Sequence, residues 1–574
     1  MRAAMVQAAT DMDVNFVMDL YEEFDSDTMA DDIRAAASSA SPPDALIVTI
    51  PTPEVQEAVL EVIQSLPIFG FNSAPNDPTL FRSLKGFVHM DEFVAGLNVG
   101  EYIGTQLSGE EPEDPVKALY VNHAPDNDAL TIRYDGISSS TEWMTWEMTE
   151  DVSEEGLTAL LSDCSYSAIQ MAGFSSMNAT LSALENIECP EVFVVGVFDT
   201  NADVYDEIQL GTVNVAVSQQ QHLQASMVVV MAALGATTGQ NLVAPSEEGA
   251  YLSGPYLVTA ENLPSKEQQI CAGDGFPVCP NTMTPLGEDA TCACTDRKEI
   301  KIVAVTHATT TDIFWDPVFA GFEQAASDFG VTFETTRFDP EASDSDVISE
   351  QIVTIEAACQ EDIDGLIVSF PSADVADAVE ACTERGIPVI DINAGPEIAG
   401  VTGYQYLGQN DTRGGVEAGE RVIAAGAVQG WCMSHANVTV LADRCDGFAQ
   451  AFAQSDGVEF MGVISVPADD AVEYLAAVEA ALGPGSGLAL IAPMVGVVQK
   501  HPELLAGAFD VDSTLYQALD DGDLLFGIDQ QGYLQGYWPV VLSTWYAYTN
   551  EGVVNQQILT GPTFVTESPS DDEQ

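Results

Sequence analysis

The sequence predicts an α/β protein in which one module occurs twice in tandem. Three observations predict this. The chain has 574 residues, enough for several compact domains; four sequence blocks recur in the same order; and strand-like apolar runs alternate with helical patterns. Hydrophobic residues make up 46% of the chain and aromatic residues 8%, which are the proportions of a globular protein with full cores.

The internal repeat is the strongest of these signals. Segment 44–74 resembles 364–395, and the blocks around 131–136, 194–205 and 211–224 resemble later blocks in the same order. Matched residues are 311 positions apart in three later pairs: Arg133 and Arg444, Asp199 and Asp510, and Gln219 and Gln530. Asn72 and Asn393 are 321 positions apart, so the first copy carries ten extra residues between Asn72 and Arg133.

The repeat divides the chain into four regions. We predict a first module over 1–260, a Cys-rich linker over 261–297, a complete second module over 298–566 and an acidic tail over 567–574. The first copy has no counterpart of the opening strand and loop at 298–317. We therefore interpret the chain as lacking its natural start, and with it a signal peptide.

Strands and helices alternate within each copy, as the second copy illustrates. A β-branched run at 300–305 predicts a strand, and apolar residues at helical spacing predict a helix over 316–329. A strand at 365–370, a helix at 373–384 and a strand at 388–392 follow. This order predicts a parallel sheet covered by helices, whose ligands bind beyond the carboxyl ends of the strands.

The charge excludes several classes of function. The chain has 16 basic and 90 acidic residues, a net charge of −74, which repels nucleic acids and anionic membranes. Such a surface is typical of proteins that stay soluble in a salty medium, although an acidic face for a cationic partner is the alternative. No apolar run is long enough to span a bilayer, and no phosphate-binding loop or familiar metal motif occurs. We predict no cofactor and no metal.

The ten cysteines favour an oxidising compartment. An even count without a metal motif favours disulfides, and four cysteines crowd into 271–294. We expect Cys432 to pair with Cys445 and Cys359 with Cys382, the alternative being buried free thiols. Glycosylation triplets at Asn178, Asn410 and Asn437 fit secretion but are weak signals.

Polar and aromatic residues follow the predicted strands of the second copy. Aromatic faces stack on sugar rings, while carboxylates, amides and a guanidinium pair with hydroxyls. These types therefore predict a sugar site. The candidates are Asp312, Phe314, Trp315, Asn393, Arg444, Asp510, Asp529 and Gln530.

These motifs resemble the type 1 periplasmic sugar-binding proteins, the group that includes ribose-binding protein and the ligand-binding core of LacI-type repressors. The resemblance covers nearly the whole chain outside the linker and tail, and it rests on five motifs: Phe314-Trp315 with the helix after them, Asn393-Ala-Gly, Arg444-x-x-Gly-Phe, Phe509-Asp510 and Asp529-Gln530-Gln531. It implies a module of two similar lobes joined by three crossovers, which a small sugar closes by a hinge motion.

The resemblance also implies a role for each candidate. Phe314 and Trp315 would clamp the sugar ring, Asn393 and Arg444 would bond its hydroxyls from opposite lobes, and Asp510 and Gln530 would complete the polar ring near the hinge. Each residue also has a purely structural interpretation. The aromatic pair could belong to the core, Arg444 could form a salt bridge, and Asp510 could cap a helix. His123 and His435, at nearly matched positions, are interpreted as structural.

The first copy keeps only part of this set. Its equivalents are Asn72, Arg133, Asp199 and Gln219, but it has no counterpart of the aromatic pair, and Ser218 stands in place of Asp529. We therefore expect weak or no binding there, unless a missing N-terminal segment restores the aromatic pair.

The sequence thus predicts a binding protein and not an enzyme. We expect it to be secreted, periplasmic or on the cell surface, to bind a small sugar, and to serve a membrane transporter or a receptor. Two alternatives stay open: the extracellular ligand-sensing region of a signalling receptor, and a degenerate carbohydrate-active enzyme.

Overall fold

The chain folds into two compact units. The computed structural model describes residues 1–18, 25–73, 80, 83–107, 116–125, 127–189, 193–243, 250–265, 300–395, 404–434, 439–465, 476, 480, 488–491, 501, 504–552 and 557–568. Unit 1 contains residues 1–233, 246–296 and 548–555, and unit 2 contains residues 234–245, 297–547 and 556–574. Nearly all of the predicted linker and tail, including the four cysteines at 271–294, lies outside the described residues.

Unit 1 holds two sheets. The first has the order β1-β2-β3-β9, and its pairings are parallel. Its elements are α1 (Arg2–Asp11), α2 (Ser26–Ala37), β1 (Leu46–Val48), α3 (Pro53–Val62), β2 (Ile68–Phe71), β3 (Gly86–Met90) and β9 (Tyr251–Gly254).

The second sheet of unit 1 has the order β10-β8-β7-β6-β4-β5, in which only β10 is antiparallel to its neighbour. Its elements are α4 (Glu92–Leu107), β4 (Val116–Val121), α5 (Asp128–Ser138), β5 (Met144–Thr149), α6 (Glu154–Leu161), β6 (Ala168–Met171), α7 (Met177–Glu185), β7 (Val194–Phe198), α8 (Ala202–Leu210), β8 (Val215–Ser218), α9 (Gln221–Thr238) and β10 (Tyr256–Val258).

Unit 2 has the same plan with a larger first sheet. That sheet is parallel throughout, in the order β12-β11-β13-β14-β15-β21. Its elements are β11 (Lys301–Thr309), α10 (Trp315–Phe329), β12 (Thr332–Phe338), α11 (Asp344–Ala358), β13 (Gly365–Val368), α12 (Ala376–Thr383), β14 (Val389–Ile392), β15 (Tyr404–Gln409), α16 (Gly532–Thr549) and β21 (Ile558–Gly561).

The second sheet of unit 2 has the order β17-β16-β18-β19-β20-β22, again with only the last strand antiparallel. Its elements are α13 (Asp411–Ala424), β16 (Gln429–Ser434), α14 (Thr439–Ala453), β17 (Glu459–Ser465), β18 (Leu488–Ile491), β19 (Leu505–Phe509), α15 (Ser513–Asp520), β20 (Phe526–Asp529) and β22 (Thr563–Val565). The predicted α/β class with parallel sheets flanked by helices is therefore confirmed, and the chain passes between the two sheets of unit 2 at 409–411, 529–532 and 561–563.

The two first sheets differ by two strands. Residues 14–18, which match the start of β12, are not a strand. In unit 2 the strand β12 pairs with β11 at the edge of its sheet.

Local sequence explains where helices begin and which are buried. Asn410 caps α13 by accepting a hydrogen bond from the Arg413 amide at 2.9 Å, and Asp512 caps α15 through the Leu515 amide at 2.7 Å. The helices α9 and α16 have no continuous polar face, and their central residues are buried. No described helix is long and apolar enough to cross a membrane.

Three disulfides lie in the described part of the chain. They join Cys164 to Cys189, Cys359 to Cys382 and Cys432 to Cys445, with Cα atoms 5.6, 5.2 and 5.4 Å apart respectively. The two pairings expected from the sequence are thus present. The Cys432 bridge ties β16 to α14, one residue after Arg444.

Each unit includes a short segment from the far end of the chain. In unit 2, the Gln531 side chain accepts a hydrogen bond from the Asn241 amide at 3.0 Å and donates to the Asn241 carbonyl at 2.7 Å. In unit 1, Gln220 bonds both backbone groups of Gly552 at 2.7 Å. These contacts explain why residues 234–245 belong to unit 2 and residues 548–555 belong to unit 1.

Candidate functional site

The candidate site of unit 2 begins at the carboxyl edge of its first sheet. The strands β11, β13, β14 and β15 run parallel, so the residues that follow them gather at one edge. Asp312 and Phe314 follow β11, and Asn393 follows β14. This edge therefore carries three of the predicted ligand contacts.

The aromatic pair lies at the start of α10 with its rings nearly perpendicular. The ring centroids of Phe314 and Trp315 are 5.5 Å apart at 85°, and the Trp315 ring is also perpendicular to His307 at 5.1 Å. Trp315 is only 1% exposed, whereas Phe314 is half-buried. In this conformation Phe314 alone of the pair offers surface to a ligand, and Trp315 packs beneath it.

Asn393 turns the chain sharply at the end of β14. Its φ is 67°, in the left-handed region that asparagine tolerates better than most residues. Its side-chain amide donates to Oε1 of Gln535 on α16 at 3.3 Å, and Gln535 in turn donates to the Gln530 carbonyl at 3.1 Å. The strand end is thus connected to the crossover at Gln530.

Arg444 is held in the second lobe by a buried ion pair. It is 4% exposed, its Nε lies 2.7 Å from Oδ1 of Asp411, and its guanidinium lies over the Phe509 ring at 4.2 Å. Burial raises the pKa of Asp411, and the Arg444 charge opposes that shift.

Two glycines explain how the ion pair comes together. A Cβ on Gly415 would lie 2.1 Å from the Arg444 carbonyl, and one on Gly447 would lie 2.0 Å from the Thr412 carbonyl. Only glycine therefore lets α13 and α14 pack closely enough to bring Asp411 beside Arg444.

Asp510 joins these groups at the centre. Gln530 donates a hydrogen bond to Oδ1 of Asp510, and Nη1 of Arg444 is 3.6 Å from its Oδ2. Asp510 has a φ of 66° and does not cap a helix, because Asp512 fills that position for α15. The suggested capping role of Asp510 is therefore wrong.

Two further carboxylates approach the same centre. Burial and the nearby Asp510 charge both raise the pKa of Asp312, although the Phe314 amide donates to it at 3.1 Å. Burial likewise raises the pKa of Asp529, whose Oδ1 accepts from the Gln531 amide at 2.6 Å. Asp312 and Asp510 come from different lobes, so the arrangement joins groups of both lobes of unit 2.

Sequence reasoning missed three members of this network. Asp411 and Gln409 lie at the end of β15, where Gln409 donates to Asp411 at 2.7 Å, and Gln535 links Asn393 to Gln530. The signals were available: Asp411 comes two residues after the end of a strand, and Gln535 is matched 311 positions earlier by Gln224.

Unit 1 has the matching residues in a different arrangement. Arg133 is bonded through Nε to Glu92 at 2.6 Å, through Nη2 to Glu92 at 3.4 Å and through Nη1 to the Ala172 carbonyl at 2.8 Å. Gln219 donates to Asp199, as in unit 2. Asn72 has the same left-handed backbone, with a φ of 64°.

Ser218 and His123 are two other positions of unit 1 that have counterparts in unit 2. Ser218 accepts a hydrogen bond from the Gln220 amide at 3.0 Å, the contact that Asp529 makes in unit 2. His123 lies beside Gly173 and Asp199, and burial lowers its pKa while the Asp199 charge opposes this. Its predicted counterpart, His435, lies outside the described residues.

Comparison with known proteins places both predicted modules in one family. A family profile described as "Periplasmic binding protein domain" matches residues 1–240 and 302–546, one segment in each predicted module. The xylose/arabinose-binding protein XylF of Sulfolobus acidocaldarius is 25% identical over 297 residues, which cover 47% of this chain and 71% of that protein.

Solved structures are similar over about half of the chain. A carbohydrate transporter from Acidothermus cellulolyticus in complex with myo-inositol is 26% identical, with 47% of this chain and 94% of that chain covered and a TM-score of 0.41. A solute-binding protein of Burkholderia graminis in complex with D-arabinose is 20% identical, with coverage of 47% and 96% and a TM-score of 0.42.

Proposed function

Because the chain belongs to the periplasmic binding protein family, we propose that its second module binds a small sugar between its two lobes. The observation that supports the proposal is the Arg444–Asp510–Gln530 cluster in one lobe, whose Asp510 charge acts on Asp312, the neighbour of the half-buried Phe314, in the other lobe. Carboxylate, guanidinium and amide groups around an aromatic face suit a ring that bears hydroxyls.

A pentose is the first ligand to test. The curated relative is named for xylose and arabinose binding. The negatively charged carboxylates at the site accept hydrogen bonds from neutral hydroxyls and would repel a phosphorylated or carboxylated sugar. Because Asp312 and Asp510 lie on different lobes and oppose each other, a ligand whose hydroxyls satisfy both would favour the closed form.

We infer that the first module does not bind sugar in the same way. Three nitrogens of Arg133 are already bonded to Glu92 and the Ala172 carbonyl.

The biological role that we propose is ligand delivery outside the cytoplasm, to a transporter or a receptor, without catalysis. The family name and the three disulfides support a secreted, periplasmic or cell-surface location.

A thermal-shift screen of the full chain tests the proposal. D-xylose, L-arabinose, D-glucose and myo-inositol are added at millimolar concentration in high salt, which screens the net charge of −74. A sugar that binds only the folded chain at about 100 times its Kd adds about 2.7 kcal/mol of stability and raises the melting temperature.

Site variants sharpen the screen. F314A and D510N should each remove the shift, whereas V353A, which changes an exposed apolar residue of the same lobe, should retain it. No shift with any of the four sugars, or an equal shift in F314A and D510N, would contradict sugar binding at this site.

A further inference from the structure

His307 occupies a place in the candidate site that the motifs do not assign. It lies near the carboxyl end of β11, beside the end of β13, and is half-buried. Its ring is perpendicular to that of Trp315 at 88°, while Phe314 contacts the same indole at 85°. His307 and Phe314 therefore both pack on Trp315, at the edge of the sheet that carries Asn393.

Ser369 fixes which imidazole nitrogen carries the proton. The Ser369 hydroxyl accepts a hydrogen bond from the His307 amide at 3.0 Å and lies 2.7 Å from Nδ1. It has no other partner among the described residues, so its own proton is best used toward Nδ1. Nδ1 is then the acceptor, and Nε2 carries the ring proton.

The second ring nitrogen is available to a ligand. Nε2 has no hydrogen-bond partner within the described part of the chain, and the half-buried ring leaves this nitrogen with some exposure to solvent. Burial lowers the pKa of His307 to about 4, so the ring is neutral near pH 7. The group offered at this edge is an uncharged N–H donor.

Nε2–H of His307 is the hydrogen-bond donor that this lobe has left to offer a ligand, because the neighbouring candidates are an acceptor or are already bonded. Asp312 is an acceptor when it is ionised, and the Asn393 amide already donates to Gln535. We propose that His307 is a specificity-determining residue, which donates from Nε2–H to one hydroxyl oxygen of the bound sugar, with Ser369 as its positioning residue. This inference rests on the proposed function of the same site.

Calorimetric titration of the full chain in high salt tests the inference. The probe is whichever of D-xylose, L-arabinose, D-glucose and myo-inositol gives the largest thermal shift, together with its monodeoxy analogues. H307F keeps a planar ring against Trp315 but removes the donor, and its Kd should rise about tenfold, as expected for one lost hydrogen bond. H307Q retains a neutral N–H donor and should stay within about threefold of the wild type.

The monodeoxy series separates a direct contact from a structural role. One analogue should bind the wild-type chain about tenfold more weakly than its parent sugar. In H307F, that analogue and the parent sugar should bind with about the same affinity. S369A should lower the affinity for the parent sugar, and S369T, which keeps a hydroxyl at this position, should bind that sugar as the wild type does. Q324A, an exposed substitution on α10, should behave as the wild type.

The outcomes distinguish the two proposals. If the wild-type chain binds none of the four sugars, the proposed function fails and takes this inference with it. If the wild-type chain binds but H307F has an unchanged Kd, or if H307F keeps every deoxy penalty of the wild type, the role of His307 is overturned and sugar binding stands.

Discussion

The two modules use the same arginine differently. In the first, the longer Glu92 side chain reaches both Nε and Nη2 of Arg133, and a carbonyl takes Nη1. In the second, the shorter Asp411 contacts only Nε of Arg444, and Nη2 has no hydrogen-bond partner among the described residues. The acidic partner that is one methylene shorter thus leaves Nη2 of Arg444 without a hydrogen-bond partner among the described residues, and we propose that this nitrogen donates to the sugar.

The largest expected effect comes from removing each arginine in turn. R444M should weaken sugar binding by about 10- to 100-fold, because a hydrogen bond from a charged donor contributes about 1.5–3 kcal/mol, and it should also destabilise its unit because Asp411 is left buried without a counter-charge. R133M should leave Kd unchanged but destabilise its unit by about 3–5 kcal/mol, since Glu92 is then buried without a counter-charge. Titration calorimetry and thermal unfolding of the full chain measure the two effects.

The proposed difference between the two arginines is wrong if R133M and R444M have the same effect on sugar binding. A loss of binding in R133M would mean that the first module contributes to the sugar site. Retained binding in R444M, with the fold intact by circular dichroism, would remove Arg444 from the site.

An intermediate effect is expected when the acidic partners are exchanged. D411E should let the carboxylate reach Nη2 of Arg444, as Glu92 does for Arg133, and should weaken binding about tenfold through one lost donor. The melting temperature should change little, because the ion pair persists. The matched variant E92D in the first module should not change the Kd. Wild-type affinity in D411E would show that Nη2 is not a ligand donor.

Most of the fold could be predicted from the sequence, because apolar runs and their spacing report burial directly. The strand predicted at 388–392 is observed at Val389–Ile392, and the helix predicted at 316–329 is observed at Trp315–Phe329. Strand ends also located the polar candidates, since parallel strands bring their carboxyl ends together.

What the sequence could not provide was the partner of each side chain. The Gln535 contact depends on how α16 packs against β14, and the burial of Trp315 involves His307, which lies eight residues earlier in β11. The capping prediction failed for a backbone reason: Asp510 adopts a left-handed φ, which places the helix start two residues later. Such facts arise from tertiary packing and not from local pattern.

The smallest effect concerns one strand position that differs between the modules. Gly70 in β2 and Asp391 in β14 hold the same place in their sheets, each paired with an aromatic residue of the next strand, Phe87 or Tyr406. A Cβ on Gly70 would lie 2.2 Å from the Phe87 ring, so the first module has no room for a side chain there. The second module fits a carboxyl group that is fully buried and makes no hydrogen bond through either oxygen.

Asp391 should therefore make the second module less stable as the pH rises. Burial raises the pKa of Asp391 well above its ordinary value, and the nearby Phe370 and Ile392 amides only oppose this. Because the folded pKa exceeds the unfolded value of about 3.9, the folded state binds more protons between the two. This contribution to stability is complete below the unfolded pKa and is lost as pH rises through the folded pKa.

The amide in D391N cannot ionise, so this variant should not lose stability at this position as the pH rises. We expect it to stabilise the chain at pH 7.5 by about 1.4 kcal/mol for each pH unit over which the folded carboxyl group stays protonated while the unfolded one is ionised, and to give less gain at pH 4. Thermal unfolding between pH 4 and 8 measures the difference, with D362N as an exposed control in the same lobe. A gain that is independent of pH, or equal in D362N, would mean that the folded pKa of Asp391 is close to its unfolded value, and the two modules would then differ here in packing but not in proton binding.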